Sequence, residues 1–424
     1  MINVNAILKT AKEKDASDVH FINGLVPTYR INRDLVSAEG VPALCDQDMW
    51  DIYDFFLKGN IERDKLFKEK KVLDVSDEFE DIRLRVNISV SDGVPVITTR
   101  LIKSTLPTFE ELGVPAIVKK MTAQPQGLML VTGKTNSGKS TTLNALINNI
   151  NETQNKKILT LESPVEYKHT SKKSIIVQKE IGRGADIPTY GLGTKNSLRE
   201  DCDILIVGEI RDRETMEAAI ETAESGHLVI GTLHTKSCAE TIDRMVNFYD
   251  MKDQSTVKVL LASILKLVIS QRLLKNKQGT LTLVPEVMVV DNIVAGLIRK
   301  EKLNVAEIED AIQSASENGS IGLINSLSEL VVKDIITLEQ AQAQVEVKNI
   351  PILNKTIQQT RLKFEAGGSS MIDTVVNDYG NSQYDSNNMY NNNQENNPYS
   401  NQFNNQQYNS PYNNQINSPF NNGQ

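Results

Sequence analysis

The chain has 424 residues, too many for one ordinary domain and enough to bury a sizeable core. A formal net charge of −8 argues against a global polyanion-binding surface, so nucleic acid is not an expected partner. Three widely spaced cysteines, Cys45, Cys202 and Cys238, read neither as a disulfide framework nor as a zinc site, and fit a reducing cytoplasm.

In chain order, residues 1–103 mix strand-like runs, such as Arg83-Leu84-Arg85-Val86-Asn87-Ile88, with short helical patterns, and predict a small α+β domain. The first residues run at once into Lys9, Lys12, Glu13 and Lys14, without the apolar segment and cleavage site of an export signal. Pro107 and Pro115 punctuate a linker expected over 104–122. A buried strand at 127–132 then opens a nucleotide-binding core expected over 123–290. Further buried strands are predicted at 158–161, 203–207 and 227–233, with a helix at 213–224, an alternation that implies an α/β domain with a largely parallel sheet. The apolar run 257–274 is helix-like, but Lys258, Lys266 and Arg272 interrupt it, so nothing approaches the ~18 residues of a membrane span. After Pro285 the pattern becomes helical, with helices predicted at 306–315 and 323–332 in a C-terminal region over 291–370. The remainder, 371–424, becomes rich in Asn and Gln with interleaved Tyr and Phe, a composition expected to stay disordered.

The strongest chemical signal is Gly133-Lys134-Thr135-Asn136-Ser137-Gly138-Lys139-Ser140, followed by Thr141, which fits G-x-x-x-x-G-K-[ST] between a predicted strand and a predicted helix. Backbone N–H groups of such a loop converge on phosphate oxygens, Lys139 reaches the β and γ phosphates, and Ser140 ligates Mg²⁺, so ATP and Mg²⁺ are the expected ligands. Asn136 stands where many such loops carry Gly, and Asn is the residue other than Gly that best tolerates positive φ. A second signal is the strand end Asp203-Ile204-Leu205-Ile206-Val207-Gly208-Glu209, where Glu209 could polarise the attacking water or hold a water on Mg²⁺. A third is Glu162-Ser163-Pro164-Val165-Glu166, which also follows a strand. Next comes Gly226-His227-Leu228-Val229-Ile230-Gly231-Thr232-Leu233-His234-Thr235, with His227 off the strand start and His234 at its C-terminal edge, where an imidazole can report loss of the γ-phosphate. The segment 183–191 is loop-like, with no chemistry assigned to it.

This order of motifs resembles the secretion and pilus motor ATPase superfamily. Within it, Ala16-Ser17-Asp18-Val19-His20, Leu198-Arg199-Glu200-Asp201 and Thr241-Ile242-Asp243-Arg244 are similar to the PilT-type retraction ATPases of type IV pili, a similarity covering residues 5 to 345. The resemblance implies an N-terminal PAS-like domain joined to a RecA-like P-loop ATPase domain, a homo-oligomeric ring of six, and action on an inner-membrane platform protein. The ring would lie in the cytoplasm at the inner face of the membrane, held there only through partners. By that resemblance Glu162 belongs to an acidic box, Glu209 to a Walker B strand, and His227 and His234 to a histidine box. Arg85 and Arg100 match arginines that reach the nucleotide from the N-terminal domain. Two departures stand out: Ser163 replaces the usual Asp of the acidic box, and Ile293-Val294-Ala295-Gly296-Leu297-Ile298-Arg299-Lys300 lacks the first Arg and the Asn of the retraction signature A-I-R-N-L-I-R-E. The extension and type II secretion branches, and a ring subunit that binds nucleotide with little turnover, are the alternatives.

Overall fold

A computed structural model describes residues 2–31, 34–80, 82–102, 106–182 and 184–372. Nearly all of the Asn- and Gln-rich tail, from residue 373, lies outside the described residues, as does Arg183 of the loop at 183–191.

The N-terminal part is built on β1 (Asp18–Phe21), β2 (Thr28–Ile31), β3 (Asp34–Ser37), β4 (Leu73–Phe79), β5 (Ile82–Ser91) and β6 (Val94–Ile102), all antiparallel, in the order β3-β2-β1-β6-β5-β4. Alternation makes β5 two-faced: Leu84, Val86 and Ile88 are buried, while Arg85 and Asn87 between them are exposed. Asp92 and Gly93 supply two consecutive positive φ angles, 52° and 82°, which suit the tight hairpin between β5 and β6. Helices Val4–Glu13, Asp46–Leu57 and Ile61–Lys70 complete this part, and Leu8, Met49, Ile52 and Phe56 share its core with Phe21 and Ile97.

The larger sheet contains β7 (Gly127–Gly133), β8 (Lys157–Glu162), β9 (Ile175–Glu180), β10 (Ile204–Val207), β11 (Leu228–Leu233), β12 (Leu265–Lys275) and β13 (Leu281–Val289). Its order is β13-β12-β7-β11-β10-β8-β9, with every pair parallel except β12 with β13. β7, β10 and β11 are buried along their whole length, which is why their sequences are continuous apolar runs without alternation. Helices Lys139–Thr153, Arg213–Glu224, Cys238–Val246 and Met251–Ile264 are among those covering the sheet.

Two expectations are corrected here. The run 257–274 is not one helical stretch: a helix ends at Ile264 and Leu265–Lys275 is β12, inserted between β7 and β13. Pro285 does not open the helical region either, because it lies inside β13. The N–H and C=O of Val287 point away from β12, to Ile321, so by the period of two the missing donor of Pro285 also falls on the outer side. The helices begin at Asn292, and the predicted pair is found at Val305–Ser314 and Leu323–Val332. The segment read as a linker carries short helices, Phe109–Leu112 and Ala116–Met121, whose Phe109 and Val118 pack into the core under β7. Among the described residues no helix is long and apolar enough to cross a membrane.

Candidate functional site

The strand order brings the motifs together. β11 lies between β7, which feeds the glycine-rich loop, and β10, which leads into Glu209 two residues past its end. His234, just past the end of β11, therefore stands between the loop and Glu209. Glycines make the approach possible. Gly133 is at φ 146°, and a β-carbon there would fall 2.6 Å from the carbonyl of Gln271, while Gly138 is at φ 87° where the helix Lys139–Thr153 begins. Asn136 is at φ 64°, the left-handed region for which Asn is suited.

Lys139 Nζ donates to the carbonyls of Gly133, at 2.9 Å, and Lys134, at 3.0 Å, and lies 3.4 Å from His234 Nδ1. Burial draws its ammonium below the usual lysine range, and the Glu209 charge opposes that shift. Glu209 is fixed from both sides by β11: the Thr232 hydroxyl donates to Gly208 O at 2.5 Å, and the Ile210 amide donates to Thr232 O at 2.9 Å. Its carboxylate accepts from Arg211 Nη2 at 2.6 Å and lies 3.2 Å from His234 Nε2.

The two glutamates of Glu162-Ser163-Pro164-Val165-Glu166 have different surroundings. Glu162, only 6% exposed, accepts from Thr160 Oγ1 at 2.7 Å and Gln178 Nε2 at 3.0 Å, and burial raises its pKa. Gln178 also binds the His169 amide, and His169 meets Asn144 of the helix after the loop at 2.8 Å, so Glu162 anchors a polar brace behind the site. Burial also raises the pKa of Glu166, against the Arg85 charge, a hydrogen bond from Ser140 and the Arg100 charge. Sequence reasoning named Glu162 and passed over Glu166. The signal available was the spacing, since four residues, one of them Pro164, carry the chain from the strand end back over Ser140.

Arg85 and Arg100 are cross-strand partners on β5 and β6, and Asp18 is the next partner in the same row. Asp18 is 6% exposed and accepts from Arg100 Nε at 2.9 Å. Arg83 attaches this sheet to the larger one, donating to Val165 O at 3.0 Å and pairing with Glu180 at 3.3 Å. His227 is not brought to the site. It precedes β11, roughly 20 Å from His234 by strand geometry, and its Nδ1 meets Ser225 Oγ and Thr222 O.

The site suits a magnesium nucleotide. Ser137 Oγ is buried in the loop without a hydrogen-bond partner among the described residues, and the gathered donors, Ser140, Glu166 and Glu209, are hard oxygens. No cluster of three or more metal-ligating His, Cys, Asp or Glu residues is found among the described residues.

The model of the Type II/IV secretion system protein family matches residues 75–375. The chain belongs to this family. The type IV pilus retraction ATPase PilT of Pseudomonas aeruginosa is 37% identical over 82% of this chain and 99% of that protein. A twitching motility protein of Neisseria gonorrhoeae is 35% identical over 81% of this chain and 91% of its own length. Among solved structures, the pilus retraction motor PilT with bound ADP matches at a TM-score of 0.76 and 33% identity, covering 82% of this chain and 99% of that one. The ATPase DotB of Legionella pneumophila matches at 0.70 and 27%, covering 80% and 93%. The secretion family fold is thus an N-terminal sheet domain joined to a RecA-like ATPase domain, which the β13-β12-β7-β11-β10-β8-β9 sheet represents.

Proposed function

We propose that this chain is the ATP-hydrolysing motor of type IV pilus retraction, working as a ring of six on an inner-membrane platform protein at the cytoplasmic face. The observation that carries the reading is convergence: Lys139 and Ser140 of one loop meet Glu209 and Glu166 from two neighbouring strand ends, with Arg85 and Arg100 of the other sheet acting on Glu166. The relatives named for retraction and twitching match across nearly their whole length.

The chain is a P-loop ATPase. The amides at 134–140 and Lys139 hold the β and γ phosphates. Ser140 would hold Mg²⁺ directly and Glu209 through a water, and the ion, when bound, neutralises charge on the phosphoryl oxygens. Glu166 accepts the proton of the attacking water; its burial keeps the carboxylate basic for this task. Water adds to the γ phosphorus, the bond to the bridging oxygen breaks, and ADP and phosphate leave. Arg85 and Arg100 stabilise the charge spread over the transferring group, so catalysis requires the domain at 1–103 to close on the core at 123–290. His234, within reach of both Lys139 and Glu209, reports the loss of the γ-phosphate to the helix Cys238–Val246.

The test has two parts. Purified chain is expected to hydrolyse ATP, and Lys139→Ala to abolish turnover; wild-type turnover in that variant sinks the assignment of the loop. Deletion of the gene is expected to leave cells with excess surface pili and no twitching, whereas bald cells indicate an extension motor.

A further inference from the structure

Both oxygens of the Glu209 carboxylate are already engaged. Oε2 accepts from Arg211 Nη2 at 2.6 Å, a short charge-assisted bond, and Oε1 lies 3.2 Å from His234 Nε2. A water on Mg²⁺ is itself a hydrogen-bond donor and would take one of the lone pairs that these two bonds leave open on the same carboxylate. It would also stand beside a guanidinium, and two cations compete for one anion. Arg211 is anchored lightly: its side chain is 67% exposed and reaches only two residues back along its own loop.

A cavity of about 720 Å³ opens beside this pair, lined among others by Glu209, Arg211, Glu240, Asp243 and Arg244. Glu240 and Asp243 lie one turn apart on the helix Cys238–Val246. Glu240 Oε2 accepts from the Lys236 amide at 3.1 Å and Asp243 Oδ2 from Asn247 Nδ2 at 2.9 Å, bonds that take one oxygen of each carboxylate. The same cavity therefore offers Arg211 a second anionic berth.

We propose that Arg211 is a positioning latch on Glu209, bonded to it in the nucleotide-free chain and displaced toward Glu240 and Asp243 when the magnesium nucleotide claims the carboxylate. Arg211 and the hydrated cation compete for the charge of Glu209, and the berth on Cys238–Val246 sets how readily the latch opens. This rests on the reading of Glu209 as the residue that holds a magnesium-bound water. It adds a competitor for that carboxylate and the groups that release it.

The experiment follows binding rather than turnover. Fluorescent mant-ADP is titrated onto the full chain in EDTA and at increasing Mg²⁺, and the Mg²⁺ concentration that half-maximally tightens binding is recorded. Arg211→Ala is expected to lower this midpoint at least threefold and to leave affinity in EDTA within twofold of wild type. The double variant Glu240→Gln/Asp243→Asn is expected to raise the midpoint, since the latch then has nowhere to go. Shifts of opposite sign support the proposal, and absent or same-sign shifts overturn it, including in whichever variant alone remains folded. Glu209→Gln separates the underlying reading: a wild-type midpoint in that variant removes Glu209 from the cation and the latch with it, whereas a raised midpoint there with no response to Arg211→Ala overturns the latch alone.

Discussion

Gly208 has no room for a methyl group. A β-carbon there would lie 2.7 Å from the Leu161 carbonyl and 3.3 Å from Glu162 Cα, both backbone atoms that cannot swing aside. This close approach lets the ends of β8 and β10 bring their acids to one loop. Gly208→Ala is expected to destabilise the chain by about 1–3 kcal/mol and to weaken nucleotide binding, measured by thermal melts and mant-ADP titration. The two acidic-box glutamates separate by the same reasoning. Glu166→Gln is expected to lower kcat on the order of 100-fold or more while mant-ADP affinity holds. Glu162→Gln disturbs the Thr160 and Gln178 bonds instead, so a stability loss of about 1–2 kcal/mol is expected with a much smaller effect on kcat. Equal kcat losses in both variants would remove the distinction.

At the scale of elements, β12 and β13 were the hardest to read and carry an unusual group. Glu286 of β13 is buried, only 5% exposed, and it accepts the amide of Cys238 at 3.1 Å, the first residue of the helix that follows His234. Burial pushes its pKa up to about 7, while the Cys238 amide and the Arg272 charge pull the other way. Because the folded value is raised above the unfolded one, the folded state holds more protons between the two. Stability is therefore greatest below pH 4.5 for this group, falls as pH rises toward about 7, and levels off above it. Glu286→Gln, which mimics the protonated form, is expected to gain stability relative to wild type over that window, by up to about 3 kcal/mol at about 1.4 kcal/mol per pKa unit. Denaturant melts of both proteins from pH 5 to 8 check it, and a difference that does not change with pH would exclude the shift. The helix at 213–224 was legible because its own residues carry the pattern: Asp212 caps it through the Thr215 amide at 2.8 Å, and Ala218, Ala219 and Ile220 face the core. β12 was not legible because Leu265–Gln271 is apolar enough for either a buried helix or a buried strand, and only its neighbours β7 and β13 decide.

Across the whole molecule, the two sheets meet through charges. Arg83 joins Val165 and Glu180, and Lys168 pairs with Glu78, so the acidic-box loop is held by β4 and β5. Arg85 and Arg100 stand directly opposite one another, an arrangement that disfavours an isolated sheet. Asp18 and Glu166 supply the opposing charge. Arg85 is exposed, so Arg85→Ala is expected to change stability by no more than about 0.5 kcal/mol. It is nevertheless expected to lower kcat roughly 100-fold, because one donor to the transferring phosphoryl group is lost. Unchanged turnover in a folded Arg85→Ala protein would place the arginine outside the reaction.

Consecutive residues alone dictate the glycine-rich loop, the buried strands around it and the acid just past β10, because a loop that wraps phosphate and a strand buried on both faces are local demands. They also carry the family resemblance. Long-range packing was needed to set β11 between β7 and β10 and to turn Glu166 rather than Glu162 toward Ser140. Those are matters of which strand lies beside which and where a chain goes after it leaves the sheet. Hydrophobic pattern records burial, which many strand orders satisfy equally, and so it leaves the order to the packing of the whole chain.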